Sequence, residues 1–591
     1  MFDLIIKNAR IVDGSGGPEF NGDIAITGGL IKQVGEIAGQ ATETIDAGGH
    51  LVTPGWVDIH THYDGQVTWD GEVGPSSWHG VTTIVIGNCG VGFAPAKPDK
   101  HEWLINLMEG VEDIPGTALT EGITWEWETF PEYLDALETL PRTVDVGTHI
   151  PHGAVRAYVM GERGADNEAA TPEDIVAMAD IVREGMKAGA LGFSTSRTML
   201  HLSKDGDPVP GTFANKEELL GIGDALSEFK PGIFEMASDM TPLESEFEWM
   251  RDLSRDKGVP VTYALLQSPA DGEGWRTMLQ MTDDAVKDGA DVKAQIAIRP
   301  TGLVLGWQST VHPFTWAPSY KAIAELPFKE RLKHLRDPEV RARILTEEPV
   351  IDRAPGDSDS RMASQKMLLA ILTHGYDRMF RLQTGKGLDY EPTPETSVAA
   401  MAKNSNRIPA EILYDMLMEN EGKGYIYLPL LNYAYFDFDH IYEMLNHPHT
   451  VLSLSDGGAH CGVICDAGFP TYLLSHWVRD RSRGKTIALE TAVARQAFET
   501  AQLYGLNDRG LIAPGMKADI NIIDFEKLDL EDPEMVFDLP AGGRRMIQRA
   551  TGYLYTIKDG QVTFRGGTPT GKRPGGLIRG PQAAPLVAAA E

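Results

Sequence analysis

Apolar runs alternate with stretches of helical spacing through the middle of this chain. TTIVIG, TVDVGTHI, ALGFSTS, GIFEMA, VPVTYALL, DVKAQIAI and HTVLSLSD are each short and almost wholly apolar, the pattern of strands buried on both faces. Between them lie segments such as TPEDIVAMADIVREGMKAG. There Thr171 reads as an N-cap, Pro172 sits in the first turn with acids behind it, and Gly189 ends the helix. Repeated strand–helix units build either a doubly wound sheet or a barrel. About eight strand candidates favour a (β/α)8 TIM-like barrel of the α/β class.

The two ends differ from the middle. FDLIIKNARIVDGSG and GDIAITGGLIKQVGEI read as strands with a hairpin at Gly28–Gly29. KADINIIDFEKL alternates around Ile520, Ile522 and Ile523, and GYLYTIKDGQVTFRGG turns through Asp559–Gly560. The expected organisation is a small β-sandwich domain from residues 1–55 plus 510–565, a barrel over 56–509, and a Pro/Gly/Ala-rich arm, loosely docked, from 566 to 591.

A net charge of −32 over 591 residues, with a pI near 4.9, argues against nucleic acid or an anionic membrane surface as a partner. Cys89, Cys461 and Cys465 are the three cysteines and make no disulfide framework, which points to a reducing compartment. The opening MFDLIIKNARIVDG has no basic leader or cleavage site, and no run approaches the roughly 18 apolar residues of a membrane span. A cytoplasmic protein is expected.

In a barrel, chemistry sits at the C-terminal ends of the strands. VDIHTHYDG places His60 and His62 two residues apart, on one face if the strand continues. TTIVIGNCGVGFAP places Cys89 among glycines, VDVGTHIPHGAVR places His149 and His152, and VLSLSDGGAH ends on Asp456 before two glycines. Zinc accepts imidazole, thiolate and carboxylate together, and a carboxylate beside it can carry a proton. Each residue alone has an ordinary structural reading; their placement at separate strand ends makes the set informative. Arg197 and Arg299, each just past a strand, offer guanidinium groups for a substrate carboxylate. Met199, Leu200, Trp307, Phe314 and Trp316 are candidate apolar walls, and His201 falls in a loop after the fourth strand.

GWVDIHTHYD following a β-segment resembles the amidohydrolase superfamily, as does PGMKADINIID near the C-terminus. GNCGVGFAP, HGAVRAYVMG, ATPEDIVAMADIVREGMKAGALGFSTSR and SLSDGG resemble its N-acyl-D-amino-acid deacylase branch. The resemblance implies one metal position held by His60, His62, Cys89 and Asp456, with Asp456 as general base and acid. It further implies a zinc ion, with manganese or iron as alternatives. The activity implied is hydrolysis of a linear amide, an N-acyl-D-amino acid, and the partner a small molecule; a homo-oligomer is compatible with it. Cyclic amide or imide opening, or deamination, is the alternative chemistry. A non-catalytic ligand-binding barrel is a third reading, which retention of all four residues argues against.

The branch carries further histidines on strands five and six, where this chain has Ala237 and Leu265. A single ion on the His60/His62 side is therefore expected. Glu235, two residues before Ala237, shares its face and could reach a metal from one layer deeper, or pair with Arg299. Gln267 shares a face with Leu265 and is a candidate substrate contact. His152 matches a branch position that lines the site.

Overall fold

A computed structural model of the chain describes residues 1–353, 358–384 and 387–585. The apolar runs form one sheet of eight parallel strands. These are β1 (Trp56–Asp58), β2 (Val81–Ile86), β3 (Asp145–Pro151), β4 (Gly192–Arg197), β5 (Ile233–Ser238), β6 (Val261–Leu265), β7 (Val292–Ile296) and β8 (Thr450–Leu452). Their order in space is their order in sequence. The strands are buried almost throughout, as helix-covered parallel strands must be. Just beyond the two edge strands, Thr61 and Gly457 form a parallel bridge, and the His62 amide donates to the Gly457 carbonyl at 2.8 Å. The ends of β1 and β8 therefore lie side by side.

The helix read from TPEDIVAMADIVREGMKAG runs Pro172–Ala188. The Thr171 hydroxyl accepts from the Asp174 amide and the Asp174 carboxylate accepts from the Thr171 amide, while Gly189 closes the helix at φ 117°.

Between β7 and β8 the chain makes a large excursion. It carries a three-stranded antiparallel sheet (Gly302–Leu305, Phe380–Arg381, Ile426–Pro429) and a core of its own. The Trp307 ring lies 5.7, 5.5 and 5.2 Å from the rings of Phe314, Tyr320 and Tyr414, and Trp316 packs against the same cluster. Trp307, Phe314 and Trp316 are thus core of this excursion and not walls of a substrate site. Their aromatic area is buried by one another.

Both termini enter one mixed sheet of nine strands. Leu51–Pro54 pairs antiparallel with Ile520–Ile523. Phe2–Ile11 pairs with Phe20–Thr27, Ala41–Asp46 and Leu51–Pro54, so the sheet branches there. The pairing gives one continuous branched sheet where two layers of a sandwich were expected. Hairpins close at Thr27↔Leu30 and Lys558↔Gln561, as the glycine signals indicated. Buried Asp145 at the start of β3 joins this sheet to the parallel one. Its carboxylate takes Arg509 Nη1 at 2.8 Å, Lys517 Nζ at 2.9 Å and Lys558 Nζ at 3.0 Å. Burial raises its pKa, but Lys558, Arg509 and Lys517 outweigh it and hold the carboxyl far below the usual range.

The C-terminal arm is not loosely docked. The amides of Gly575, Ile578, Gly580 and Gln582 donate to the carbonyls of Arg142, Val146, Gly189 and Gly505 at 2.8–2.9 Å. The Gly576 amide donates to Asp145 Oδ1 at 2.9 Å, and Arg579 pairs with Asp135 and Glu138. Proline and glycine here supply an extended chain whose backbone groups bond to their neighbours. Truncation after Gly567 should lower the unfolding free energy by about 3–5 kcal/mol relative to truncation after Pro585, at about 1 kcal/mol per bond. Denaturant midpoints check this; equal midpoints for the two truncations would show the arm to be passive.

Candidate metal centre

His60 and His62 leave the end of β1 with both rings buried. Cys89 follows β2, and its thiol lies 3.3 Å from His60 Nε2. One donor atom from each of His60, His62 and Cys89 falls within 4.8 Å of the others. Asp456 follows β8 and sets Oδ1 3.6 Å from His60 Nε2 and 3.8 Å from His62 Nε2. Tetrahedral zinc with bonds of about 2.0–2.3 Å spaces its donors roughly 3.3–3.8 Å apart. The measured spacings fit such an ion, and the donor set is one that zinc accepts.

The imidazoles are turned by their outer nitrogens. His60 Nδ1 lies 2.8 Å from Gln295 Oε1, and that oxygen also accepts from Ser453 Oγ at 2.6 Å. An amide oxygen can only accept, so His60 carries its proton on Nδ1 and presents the Nε2 lone pair inward. Glu112 Oε1 stands 3.3 Å from His62 Nδ1 and favours the same tautomer. Burial, then the neighbouring His60, His460 and His201, keeps His62 well below its usual pKa and so neutral. Neutral imidazole is the ligating form. Burial pushes the Cys89 thiol and the Glu112 carboxyl well up. A cation reverses that preference and favours the thiolate.

The loop after β8 is built to bring Asp456 here. Ser455 Oγ donates to Asp58 Oδ2 at 2.6 Å, locking the loop to β1. A Cβ on Gly457 would meet Ser76 Oγ at 2.4 Å, and Gly458 adopts φ 91° against the His62 backbone. Only glycine fits both positions. Leu454, Asp456 and His460 hold left-handed φ values of 58°, 47° and 51°, and Cys89 holds 54°. Strain of this kind collects at functional sites.

The remaining sequence candidates separate. Glu235 is fully buried; its Oε2 accepts from the Cys89 amide at 3.0 Å, and Oε1 lies 3.8 Å from His60 Nδ1. It braces the cluster from behind and does not pair with Arg299. His152 has both ring nitrogens taken, by Thr195 Oγ1 at 2.8 Å and Glu218 Oε1 at 2.9 Å, so neither is free for a metal. His149 is buried against Tyr504. His201 Nδ1 meets Ser196 Oγ at 2.9 Å, and burial, then His460 and His60, depresses its pKa to about 3. Arg197 forks onto Glu246 at 2.6 and 2.8 Å. Arg299 binds Asp466 at 2.7 Å and stacks on Tyr390, with Nε and Nη1 left without partners. Gln267 is fastened to Asn432, Ala434 and Gly272, a loop-holding role. Met199 and Leu200 are exposed at 47% and 66% on the loop before His201, so they form no closed wall. Glu112, Gln295 and His460 escaped the sequence reading. Only His460 carried a signal there, its spacing four residues beyond Asp456 in SDGGAH.

Residues 43–564 match the amidohydrolase family. The chain belongs to that family. Among its relatives is a D-aminoacylase of Alcaligenes xylosoxydans xylosoxydans, 27% identical over 88% of this amidohydrolase and 88% of the relative. An N-acyl-D-glutamate deacylase of the same organism is 24% identical over 98% and 96% of the two chains. A D-aminoacylase crystal structure superposes with a TM-score of 0.62 at 21% identity, covering 98% of this chain and 99% of that one. An N-acyl-D-glutamate deacylase of Bordetella bronchiseptica, solved with zinc and a phosphonate inhibitor, also gives 0.62, at 22% identity over 98% and 99%. The amidohydrolase shares their fold. Among the described residues no helix is long and apolar enough to cross a membrane.

Gln295→Leu in this amidohydrolase should weaken zinc binding by about 10–100-fold, because His60 loses the acceptor that orients it. Competition with a chromogenic chelator measures this. Unchanged zinc affinity in the variant would remove Gln295 from the metal's support.

Proposed function

We propose that this amidohydrolase cleaves the linear amide bond of an N-acyl amino acid of D-configuration, with one tightly held zinc ion at His60, His62, Cys89 and Asp456. The observation that carries the reading is the convergence of His60, His62 and Cys89 donors within 4.8 Å of one another, with Asp456 Oδ1 3.6 and 3.8 Å from the two Nε2 atoms. When bound, such an ion acts as a Lewis acid that polarises a carbonyl and acidifies water at neutral pH. The relatives' deacylase activities favour the linear amide over ring opening or deamination. The reading treats the eight parallel strands as a (β/α)8 barrel with the terminal sheet, residues 1–55 and 510–565, as its accessory domain. It places the enzyme in the cytoplasm, and the donor set also admits manganese or iron.

Asp456 is the acid positioned to move protons. Its side chain is 19% exposed, whereas those of Glu112 and Glu235 are at 2% and 0%. Asp456 also borders a cavity lined by Gln66, Cys461, Asp466 and Gln548. Its carboxylate takes the proton of the attacking water as the C–O bond forms, then delivers it to the amine nitrogen as the C–N bond breaks. Glu112 and Gln295 hold the imidazoles, and Glu235 holds the Cys89 backbone. Arg197 is bound by Glu246 and the Ala214 carbonyl, so of the two sequence candidates Arg299, with two nitrogens free beside Asp466, is the one we assign to a substrate carboxylate.

Asp456→Asn should keep zinc partly bound and lose at least about 10²-fold in kcat, the usual range for a general base being about 10²–10⁴. Turnover of N-acetyl-D-amino acids by the variant and the wild type decides it, with the L-forms, a hydantoin and a nucleobase as comparison substrates. Near-normal turnover would move the base elsewhere. Cys89→Ala should weaken zinc binding without abolishing it, since three donors remain; complete loss in elemental analysis would make the thiol indispensable.

A further inference from the structure

A cavity of about 470 Å³ is lined by the segment after β1, with the indoles of Trp69 and Trp78, and by the hairpin that pairs Glu534–Leu539 with Gly543–Ile547. It has the size of a small-molecule site. None of His60, His62, Cys89 and Asp456 lines it. Buried Gln66 and Arg545 line both this cavity and the one beside Asp456, so they form the wall between the two. Gln66 Nε2 and Arg545 Nη1 each donate to the Gly74 carbonyl at 2.7 Å, which fixes that wall.

Two opposite charges in this cavity are left over. Asp538 is taken by the Arg545 fork at 2.8 and 2.9 Å. Asp70 accepts from Gln66 Nε2 at 2.8 Å and from the amides of Glu72 and Gly74 at 2.8 and 3.1 Å. Arg549, by contrast, has Glu534 at 3.8 Å as its ion-pair partner among the described residues, too long for a hydrogen bond, and its guanidinium lies 4.5 Å over the Trp78 ring. The Glu72 carboxylate makes no hydrogen bond or close ion pair among the described residues; burial, then Asp70, raises its pKa, and Arg573, Arg545 and Arg549 act on it without reversing that. Trp78 joins the two charges: Arg549 covers its ring, and the turn that carries Glu72 packs so closely on it that a Cβ on Gly74 would meet the ring at 2.5 Å.

We propose that this cavity binds a free α-amino acid as its zwitterion, with the carboxylate on the Arg549 guanidinium, the ammonium on Glu72 and the side chain against the indoles of Trp69 and Trp78. A guanidinium grips a carboxylate through paired N–H groups, and indole faces take apolar and aromatic side chains. A simple anion would be repelled by Glu72 and a simple cation by Arg549, so the pair selects a molecule that carries both charges. That the ligand is the enzyme's own product rests on the deacylase reading: such a reaction frees an amino acid beside Asp456, one wall away from this cavity.

Calorimetric titration of the full-length, zinc-loaded protein with D-phenylalanine tests it, with 3-phenylpropionate, which lacks the ammonium, and phenethylamine, which lacks the carboxylate, as comparison ligands. D-Phenylalanine should bind at least about tenfold more tightly than either, since each half-ligand forgoes one charge-assisted contact and leaves the other protein charge unanswered. Arg549→Ala and Glu72→Gln should each weaken D-phenylalanine by about tenfold, with zinc content and melting temperature unchanged. Glu72→Gln should leave 3-phenylpropionate no weaker than in the wild type, a pattern that general damage to the fold would not give. Absence of saturable binding by D-phenylalanine overturns the site, and so does binding that ignores both substitutions or that is lost in Arg299→Leu, which would put the ligand in the catalytic cavity. The titration needs no turnover. Binding as expected in a protein that hydrolyses no N-acyl-D-amino acid keeps the site and overturns the deacylase reading, whereas hydrolysis without such binding does the reverse.

Discussion

Ser455 donating to Asp58 at 2.6 Å is the contact on which the site depends. It ties the loop after β8 to the end of β1, the two strands farthest apart in the sheet order. The His62 amide reinforces it by donating to Gly457 O at 2.8 Å. Asp456 and the two histidines are separated by nearly the whole parallel sheet in sequence, so their meeting is decided by this clasp and not by any local motif. The glycines at 457 and 458 follow from it, because the loop must pass against Tyr63 and the His62 backbone with no room for a side chain. Left-handed φ at Leu454, Asp456 and His460 is the conformational cost of that path.

Buried carboxylates at the two ends of the parallel sheet are treated in opposite ways. Asp145, at the start of β3, is surrounded by Arg509, Lys517 and Lys558 and is held ionised. Asp64, Glu112 and Glu235, near the opposite ends of the strands, have pKa values raised by burial, with no lysine or arginine among their causes. The same fold therefore pairs a buried acid with fixed cations where it needs only cohesion. Where histidines and a thiol converge, Glu112 and Glu235 meet a histidine and a backbone amide and no lysine or arginine, an electrostatic setting that suits a bound cation.

Much of this was legible in the sequence because parallel strands buried on both faces leave continuous apolar runs, and the glycine and N-cap signals fix their ends. All of the β-strands proposed for the middle of the chain are present, and His60, His62, Cys89 and Asp456 come together at their ends. The branched terminal sheet was not legible as such, because period-two alternation specifies a face but not how one strand shares partners. Trp307, Phe314 and Trp316 were misplaced because proximity to β7 in sequence says nothing about an excursion that folds around its own core. The arm after 566 has almost no apolar periodicity; it is held by backbone hydrogen bonds, which composition does not reveal. Glu112 and Gln295 act through the histidines they orient. A Glu at a helix end and a Gln in a strand have no spacing signature until the fold places them behind a ring nitrogen.

The apolar residues at the strand-five and strand-six positions where the resemblance implies histidines have a local logic. Ala237 and Leu265 are buried and apolar, so nothing on that side competes for an ion. Glu235, one step earlier on the same face of β5, spends its carboxylate on the Cys89 amide at 3.0 Å. Cys89 sits at φ 54°, a conformation an L-residue seldom adopts without support. The hydrogen bond from its own amide to a buried carboxylate is that support, and it aims the thiol at His60. A strand from which the resemblance leads one to expect a ligand here positions one. The protein thereby keeps the thiol within reach of the His60 and His62 donors.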